Sequence, residues 1–373
     1  MTQKDQSTHR CAAIVGPYLS GKTTLLESLL AAAGVIGRKG SVKDGNTVGD
    51  ASAESRARQM STELSVASIE YLGDEWSFID CPGSVELSQE GYNALMVADI
   101  AVVVCEAGVD KALTVSPLLK FLDDHSIPHV LFVNKMDTQA ANIRETIEAL
   151  QNVSSKPLVL REVPMQDGEA IAGLVDLVSQ RAYKWVEGER SEEVDVPDSV
   201  KDWVEEARTQ MLESLADFDD TLLEALLEDQ IPEADEIFGN AKGALQEAHV
   251  VPVLFGAAEH DYGITRLLKI LRHEAPESGR IAARLGLEDS GEAVAPVFKT
   301  LHAAHTGKLS MARVLRGELA EGTALNGERP SGMFKLMGQK QEKVSKAGPG
   351  SVVAFARMDP INTGDALSVS GNI

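Results

Sequence analysis

The stretch GPYLSGKT, residues 16–23, decides how the remainder of this 373-residue sequence is interpreted. It fits the pattern G-x-x-x-x-G-K-[ST], with strand-like CAAIVG before it and helix-like KTTLLESLL after it. In this context the glycines let backbone N–H groups surround phosphate oxygens, and the N-terminus of the helix adds positive potential. An ordinary glycine-rich turn is the alternative, but the strand-to-helix context favours a phosphate-binding loop.

The loop gives the first set of candidate site residues. Lys22 is expected to reach the β- and γ-phosphates of a nucleotide and to assist catalysis, while Thr23 is expected to bind Mg²⁺. The predicted nucleotide contacts in this region are Gly16, Pro17, Tyr18, Leu19, Ser20, Gly21, Lys22, Thr23 and Thr24. The sequence therefore predicts a site for a magnesium-bound nucleoside triphosphate.

Around the loop, strand-like and helix-like segments alternate from residue 11 to about residue 157. IAVVVC at 100–105 and HVLFV at 129–133 are apolar runs typical of buried strands, and SVASIEYLGDEWSFID at 65–80 also has a strand-like pattern. Such an alternation predicts an α/β fold, in which helices cover both faces of a mostly parallel sheet.

The second motif is FIDCPGSVE, residues 78–86, at the end of the last of these runs. Asp80 is expected to hold magnesium through water, and the backbone N–H of Gly83 is expected to bind a γ-phosphate oxygen. Cys81 and Pro82 lie between them and belong to the same predicted nucleotide site. Asp, Pro and Gly also form ordinary turns, but a position downstream of a phosphate loop favours phosphate sensing.

The third motif, NKMD at 134–137, directly follows the apolar run HVLFV. The carboxylate of Asp137 can accept from both N1–H and the exocyclic amine of guanine, a donor pair that adenine lacks. Asn134 is expected to bond elsewhere on the base and the loop, and the stem of Lys135 is expected to cover the ring face. Such a tetrapeptide alone is a common surface loop, but as the third motif in order it favours GTP over ATP.

Composition distinguishes four further regions. Residues about 156–250 are acidic with helix-like pieces and predict an inserted α+β subdomain, because structureless loops of this length are rare. Residues 276–292 are rich in Gly, Pro and charge and are predicted to be a linker. From 293 to 373, short apolar runs between glycine turns predict a β-barrel. The polar residues 1–10 are predicted to be disordered.

The composition also argues against several classes of protein. A net charge of -22 is unsuited to a general DNA or RNA binder, because affinity for a phosphate backbone comes mainly from clustered Lys and Arg. No apolar run is long enough to cross a membrane, and no secretory signal is recognised at the start. Cys11, Cys81 and Cys105 are widely separated, which suits reduced thiols better than a disulfide or zinc site. A cytoplasmic protein is therefore expected.

These motifs, in this order, resemble those of the translational GTPases and, within them, of elongation factor G. GPYLSGKTTLLESLL, FIDCPGSVE, VLFVNKMD and PVLFGAAEHDYGITRLL match the guanine-nucleotide motifs, and PVFKTLHAAHTGKLSMARVLRGELAEGTAL resembles the start of the family's barrel. The resemblance covers almost the whole chain. It implies a P-loop NTPase G domain over 11–275, with the inserted subdomain, followed by an all-β barrel of the translation-factor type. It also implies that backbone N–H groups of Gly256, Ala257 and Ala258 recognise the guanine oxygen.

The resemblance further implies a divergent paralogue that hydrolyses GTP, binds GTP or GDP with Mg²⁺, and engages ribosomal RNA and proteins to drive translocation or a related step. A monomer with no membrane or DNA partner is expected. Elongation factor G has three more domains after the barrel, so a sequence ending in LSVSGNI is expected to be a fragment. The alternatives are a GTP-dependent ribosome-binding regulator with weak hydrolysis and a ribosome-protection or release-factor GTPase.

Three positions depart from the family pattern. Leu19 stands where the family has an Asp, so help in holding a monovalent cation is expected to be absent. Ser61 falls on the family's magnesium-binding threonine, although the adjacent Thr62 leaves the register open. Ser84 stands where the family has the histidine that orients the attacking water, and its hydroxyl is too short to span the same distance. Three alternatives stay open: another group reaches the water, hydrolysis is slow, or the protein works mainly as a GTP-dependent binder. Loss of the histidine is expected to slow turnover without abolishing nucleotide binding.

Overall fold

The computed structural model describes residues 9–50, 52–137, 142–167, 170–189, 191–288, 290–303 and 306–372. The chain divides into two compact units. The first contains the residues up to Val15, Leu30–Ala101 and the chain from Pro276 onward, and the second contains Gly16–Leu29 and Val102–Ala275. These units group residues by contact, whereas the predicted domains follow the order of the chain, and the domain boundaries stay predictions.

Helices and strands alternate over the first part of the chain. Among the described residues the α-helices are α1 Lys22–Ala32, α2 Ala53–Arg58, α3 Ser88–Val97, α4 Val109–Asp124, α5 Ile143–Val153, α6 Asp198–Ala216, α7 Asp220–Leu227, α8 Ala234–Gln246, α9 Ile264–Glu274 and α10 Gly279–Arg284. The strands there are β1 His9–Val15, β2 Ser65–Tyr71, β3 Asp74–Asp80, β4 Ile100–Glu106, β5 His129–Asn134, β6 Leu158–Leu160, β7 Glu162–Asp167, β8 Ala170–Asp176, β9 Ala182–Lys184, β10 Glu192–Val194 and β11 Val251–Phe255. After α10 come β12 Val294–Ala303, β13 Gly307–Arg313, β14 Leu319–Ala320, β15 Gly332–Met337, β16 Lys340–Lys343, β17 Lys346–Ala347, β18 Val352–Ala356 and β19 Ala366–Ser368.

In the first unit, β3 pairs parallel with β1 and antiparallel with β2. The run at 65–80 is therefore two strands and not one. Leu72 and Gly73 have φ values of 51° and 87°, and this left-handed pair forms the tight turn of a hairpin. β3 ends at Asp80, whose carboxylate is thereby placed at the carboxyl end of a parallel strand pair.

Strand β1 begins earlier than the polar start of the sequence indicates. Residues 1–8 of the predicted disordered segment lie outside the described residues. His9 and Arg10 were included in that segment, but they already belong to β1, where they lie opposite Glu75 and Trp76 of β3. The backbone pairing of a parallel ladder thus extends two residues beyond the apolar run from which the strand was predicted.

The barrel strands confirm the predicted all-β fold. Their order is β19-β12-β13-β18-β15, with antiparallel pairing throughout, while β16 pairs with β15 and β14 with β17. Val297, Val353 and Phe355 contribute to an apolar core between these strands. β15 also meets β2 at Met337 and Ala67, which is one reason why the barrel and β1–β3 belong to the same unit.

Two arginines hold the C-terminus of α3 within this unit. Arg313 of β13 is fully buried and donates to the carbonyl of Val97 at 2.5 Å and to the carboxylate of Asp99 at 2.6 Å. Arg284, the last residue of α10, donates at 3.1–3.4 Å to three further carbonyls, those of Leu95, Met96 and Ala98. The last carbonyls of a helix carry partial negative charge, so cations placed there stabilise it.

The first turn of α3 is held as well. Glu90 accepts from Lys299 of β12 at 2.5 Å and from the backbone N–H of Leu64 at 3.1 Å. Lys299 is largely buried, with 12% of its side chain exposed, so this ion pair is screened less by solvent than a surface pair. Barrel side chains therefore contact both ends of the helix that follows the FIDCPGSVE loop.

In the second unit, the main sheet has the order β4-β5-β11-β6, and β11 runs parallel to both β5 and β6. All residues of β5 and β11 are buried, as expected of strands covered on both faces. Leu25, Leu26 and Leu29 of α1 have no exposed surface. Because β5 and β11 are parallel neighbours, the loops that follow Asn134 and Phe255 leave the same edge of the sheet.

The inserted residues form an antiparallel sheet, β10-β9-β8-β7, and helices α6 to α8, with their own apolar core. β6, which begins the predicted insertion, pairs with β11. Buried charges also lie in this region: Arg161 donates to Glu274 at 2.5 and 3.0 Å, and Glu162 accepts from the N–H of Phe255 at 2.8 Å. Burial raises the pKa of the Glu162 carboxyl to about 7. In the part of the chain described by the structure, no helix is long and apolar enough to span a membrane.

Candidate functional site

The phosphate loop, Gly16–Thr23, has the close backbone packing that its glycines predict. Gly16 has a φ of 147°, and a Cβ there would lie 2.1 Å from the carbonyl oxygen of Val104. Gly21 has a φ of 94°, and a Cβ there would lie 2.3 Å from Nδ2 of Asn134. Both positions therefore require glycine for space as well as for conformation.

Lys22 and Thr23 are the first two residues of α1, where the N–H groups of a helix have no acceptor within the helix itself. Both side chains are buried, and the ammonium group of Lys22 donates to the carbonyl of Pro17 at 2.8 Å. Tyr18 and Leu19, by contrast, are 51% and 59% exposed. The loop therefore combines a buried cation with the positive end of a helix, an arrangement suited to phosphate.

One side chain joins all three predicted loops of the second unit. Asn134, at the end of β5, is 2% exposed. Its Nδ2 donates to the carbonyl of Ser20 at 2.9 Å, and its Oδ1 accepts from the N–H of Ala258 at 2.9 Å. The amide thus satisfies one backbone acceptor of the phosphate loop and one backbone donor of the Gly256–Ala258 loop. The sequence predicts that Asn134 bonds to the base and to the loop; the structure shows its bonds to the two neighbouring loops, and its contact with a base stays a prediction.

Lys135 and Asp137 belong to the same NKMD loop as Asn134. Lys135 has a φ of 61°, and its ammonium group donates to the carbonyl of Leu19 at 2.8 Å and to Glu106 at 2.5 Å. Its stem therefore spans from the NKMD loop to the phosphate loop. Asp137 is 21% exposed, so its carboxylate is accessible for a base to approach.

The Gly256–Ala258 loop is fixed by its backbone. The N–H of Gly256 donates to Val133 at 3.0 Å, and its carbonyl accepts from Met136 at 3.1 Å. A Cβ on Gly256 would lie 2.4 Å from the ring of Phe132. Ala257 and Ala258 are buried. These contacts bring the loop beside NKMD, and its recognition of the guanine oxygen stays a prediction.

Three stacked aromatic side chains, of which the first contacts Asp137, were not among the predicted site residues. His260 lies with Nε2 3.3 Å from Oδ2 of Asp137, and it stacks on Tyr262. Tyr262 in turn stacks on Trp185 of the inserted region. The position of His260, two residues after Ala258, was a signal available in the sequence, but nothing in the sequence spacing connects Trp185 with this loop.

The loop Asp80–Ser84, which the sequence predicts to sense phosphate, belongs to the first unit. Asp80 is 1% exposed, Cys81 and Pro82 are buried, and the N–H of Cys81 donates to the carbonyl of Ile14 at 3.0 Å. Gly83 and Ser84 are half-buried. The start of the loop is thus anchored on β1, whereas its end leads to Val85, which is 85% exposed.

The hydroxyl of Ser84 donates to the carboxylate of Glu86, and this hydrogen bond lowers the pKa of that carboxyl. Beside this pair lies a cavity of about 600 Å³, lined also by Glu54 and Arg58 of α2. The first unit therefore places charged side chains near Ser84, and none of the chain's histidines lines this cavity among the described residues.

Ser61 and Thr62 precede β2 and are half-buried. The hydroxyl of Thr62 lies 2.9 Å from that of Ser55 in α2, and the backbone N–H of Thr62 donates to the same Ser55 oxygen at 3.3 Å. Thr62, the alternative candidate for the magnesium ligand, thus bonds to α2 through Ser55. The assignment of Ser61 as a metal ligand stays a prediction. Thr23, Ser61 and Asp80 offer hydroxyl and carboxylate oxygens, which are donors that Mg²⁺ prefers.

The phosphate loop begins a helix, and one asparagine joins it to an Asn-Lys-x-Asp loop and a Gly-Ala-Ala loop. This arrangement defines a P-loop nucleotide-binding protein. Residues 7–277 match the family described as elongation factor Tu GTP binding domain, and residues 292–370 match elongation factor G domain 2. The chain therefore belongs to the translational GTPase family, as a divergent member similar to elongation factor G.

Individual relatives agree with this membership. The chain is 46% identical over 372 residues to an elongation factor G-like protein of Synechocystis, covering 99% of this chain and 56% of that protein. It is 29% identical over 369 residues to elongation factor G of Thermotoga maritima, covering 93% of this chain and 53% of that protein. A crystal structure of a Thermus thermophilus protein superimposes with a TM-score of 0.87 at 26% identity, covering 97% of this chain and 54% of that one. The chain spans about half the length of the curated relatives it matches.

Proposed function

We propose that this chain binds GTP and GDP with Mg²⁺ and acts as the nucleotide-binding part of an elongation factor G-like GTPase. The observation that carries the proposal is the position of Asn134, whose amide bonds the phosphate loop on one side and the Gly256–Ala258 loop on the other. A side chain that holds phosphate-binding and base-binding loops together prepares both for one ligand, which reduces the ordering needed on binding.

The proposed roles follow the chemistry of each group. Lys22 and the first turn of α1 bind the phosphates, while Thr23, Ser61 and Asp80 hold Mg²⁺, which neutralises phosphate charge. Gly83 contributes its backbone N–H to the γ-phosphate. On the other side, Asp137 accepts from the two guanine donors, and the N–H groups of the Gly256–Ala258 loop bind the guanine oxygen.

We further propose that hydrolysis is slow. Ser84 has a short hydroxyl that donates to Glu86, an exposed carboxylate on the same loop. The proposal is supported by this engagement, because a hydroxyl that donates to a carboxylate has no proton left for a phosphate oxygen, and serine, unlike histidine, is not a base that takes a proton from water near neutral pH. Leu19 also lacks the negative charge that would help to hold a monovalent cation. We propose that nucleotide binding requires the side chain of neither residue.

The proposed partner is the ribosome, and the proposed location is the cytoplasm. The matched elongation factor G domains support this assignment. The same Ser84 contact favours a second candidate function, a GTP-dependent ribosome-binding regulator with weak hydrolysis. Phosphate release measured with and without ribosomes separates the two: strong stimulation supports the GTPase, and ribosome binding without stimulation supports the regulator. A ribosome-protection or release-factor GTPase remains a third candidate.

The guanine assignment is tested with Asp137→Asn. We expect this variant to weaken GDP binding about 10- to 100-fold, since a charge-assisted pair of hydrogen bonds is lost. An amide can accept from N1–H and donate to a carbonyl, so the variant should now prefer xanthosine diphosphate. Asp124→Asn, on the exposed end of α4, is the matched control. Competition that favours ATP over GTP in the unaltered chain contradicts the proposal.

A further inference from the structure

His260 lies at the edge of the guanine-selecting loop and has no role in the function proposed above. We propose that His260 is a positioning residue, which holds the Asp137 carboxylate in the orientation required by the 2-amino group of guanine. The proposal rests on the proposed guanine-nucleotide function and adds to it a residue that determines specificity. It also gives the inserted region a part in nucleotide selection, through Trp185.

The contact with Asp137 is direct. Nε2 of His260 lies 3.3 Å from Oδ2 of Asp137, and its Nδ1 lies 3.8 Å from Glu187. Glu187 is 83% exposed, whereas Asp137 is only 21% exposed, so the Asp137 side of the imidazole is the more enclosed one. An N–H on Nε2 is therefore within reach of the carboxylate that is proposed to read the base.

Backbone hydrogen bonds hold the loop that carries His260 next to Asp137. Ala257 and Tyr262 exchange two backbone hydrogen bonds of 3.1 Å, and these close the loop that carries His260. The N–H of His260 itself donates to the carbonyl of Ala257 at 3.0 Å. Behind this loop, Gly263 has a φ of 80°, and a Cβ there would lie 2.5 Å from the carbonyl oxygen of Phe255. The loop that presents its backbone to the base thus also fixes the imidazole.

Aromatic stacking fixes the ring. The centroids of His260 and Tyr262 are 5.6 Å apart, and those of Tyr262 and Trp185 are 4.7 Å apart with planes inclined by 12°. Trp185 is 7% exposed, and its backbone N–H donates to Ala172 at 2.8 Å. The inserted region thereby supports Tyr262, and Tyr262 supports the imidazole. Such offset aromatic pairs add to the free energy of burial.

The chemistry explains why orientation matters for one part of guanine in particular. The terminal torsion of an aspartate is broad, so a carboxylate with no neighbour rotates readily. Each carboxylate oxygen has two lone pairs, and a donor from His260 on Oδ2 leaves the others for N1–H and the 2-amino group. Both base donors are satisfied only when the carboxylate plane matches the base plane. Loss of the hydrogen bond from His260 to Asp137 should therefore weaken the contact of Asp137 with the 2-amino group more than the contacts with the phosphates.

The test compares dissociation constants for GDP and for inosine diphosphate, which lacks the 2-amino group. His260→Phe keeps a ring on Tyr262 but removes the N–H, and we expect it to weaken GDP binding about 5- to 10-fold and inosine diphosphate binding less than about 2-fold. His260→Gln keeps a donor and should preserve most of the GDP preference. His125→Ala, at the exposed C-terminus of α4, is the matched control.

Each outcome bears on one proposal. A GDP preference in His260→Phe equal to that of the unaltered chain overturns the positioning role, and so does an equal loss for both nucleotides, which indicates a structural role. If His260→Phe does not fold, a lost preference in folded His260→Gln also overturns it, because the donor is retained there. Failure of the unaltered chain to bind GDP contradicts the proposed function instead, and the two failures are therefore distinguishable.

Discussion

The NKMD loop and the Asp80–Ser84 loop both begin at the end of a buried strand, but they are built differently. In the NKMD loop, Asn134 and Lys135 bond to backbone groups of other loops in the same unit. In the other loop, Asp80 is buried at the strand end, while the hydroxyl of Ser84 donates to Glu86, two residues away. The loop proposed to recognise the base is thus held by long-range hydrogen bonds, whereas the hydroxyl at the position proposed for hydrolysis makes a local one. Binding and hydrolysis should therefore respond to different substitutions.

The largest effect that would test this contrast is expected from Asn134→Ala. Removing the amide leaves the carbonyl of Ser20 and the N–H of Ala258 without this buried partner, and each such group costs about 1–3 kcal/mol. We expect the affinity for GDP to fall about 30- to 100-fold, measured by calorimetric titration.

Asn142→Ala is the matched control, because Asn142 caps α5 by accepting from the N–H of Glu145 at 3.3 Å. Loss of a helix cap lowers the free energy of unfolding by about 1 kcal/mol, and GDP affinity should stay within about 2-fold. Equal losses of affinity in the two variants would mean that Asn134 acts only through general stability, and the contrast between the loops would fail.

An intermediate effect is expected from Ser84→His. An imidazole reaches further than a hydroxyl and can orient or accept a proton from water, a contribution of about 100-fold or more in favourable geometry. Without other adaptations we expect an increase of about 10-fold in phosphate release with ribosomes present, and GDP affinity within about 2-fold. Ser84→Ala is the control. An unchanged rate in Ser84→His would show that the missing histidine is not what limits hydrolysis.

The smallest effect concerns Glu162, which accepts from the N–H of Phe255 just before the Gly256–Ala258 loop. Its pKa is raised to about 7, first by burial, so the folded chain binds this proton more tightly than the unfolded chain. The resulting stabilisation is complete below about pH 4 and is lost as the pH rises through about 7. We expect the Tm of the unaltered chain minus the Tm of Glu162→Gln to fall by about 2 °C between pH 5.5 and pH 8. A difference that rises with pH contradicts the sign.

The α/β fold and the barrel could be predicted because each depends on a local pattern. The phosphate loop combines fixed spacing with a strand before it and a helix after it, and apolar runs such as 100–105 indicate buried strands directly. The hairpin within 65–80 was missed because Leu72 occupies a left-handed position that Asn or Asp would normally mark. A bulky residue gives no turn signal, although the glycine beside it does.

The candidate site likewise contains features that the sequence predicts and features that it does not. The strand-end positions of Asp80 and Asn134, and the position of Asp137 in the loop after β5, follow from motifs and alternation alone. The contact of His260 with Asp137 does not, because it depends on how the loop after β11 closes on itself. Nor could the stacking of Trp185 on Tyr262 be predicted, since 76 intervening residues give no periodic signal linking the two.

The arginines at the end of α3 have a mechanical consequence. Arg313 and Arg284 hold the last carbonyls of the helix, and Lys299 holds Glu90 in its first turn. A shift of the loop that precedes α3 cannot be absorbed by sliding the helix along the barrel, because that would break charge-assisted bonds at both ends. A displacement of the loop before α3 should therefore move the helix and the barrel strands together, because side chains of β12 and β13 bond to both ends of the helix.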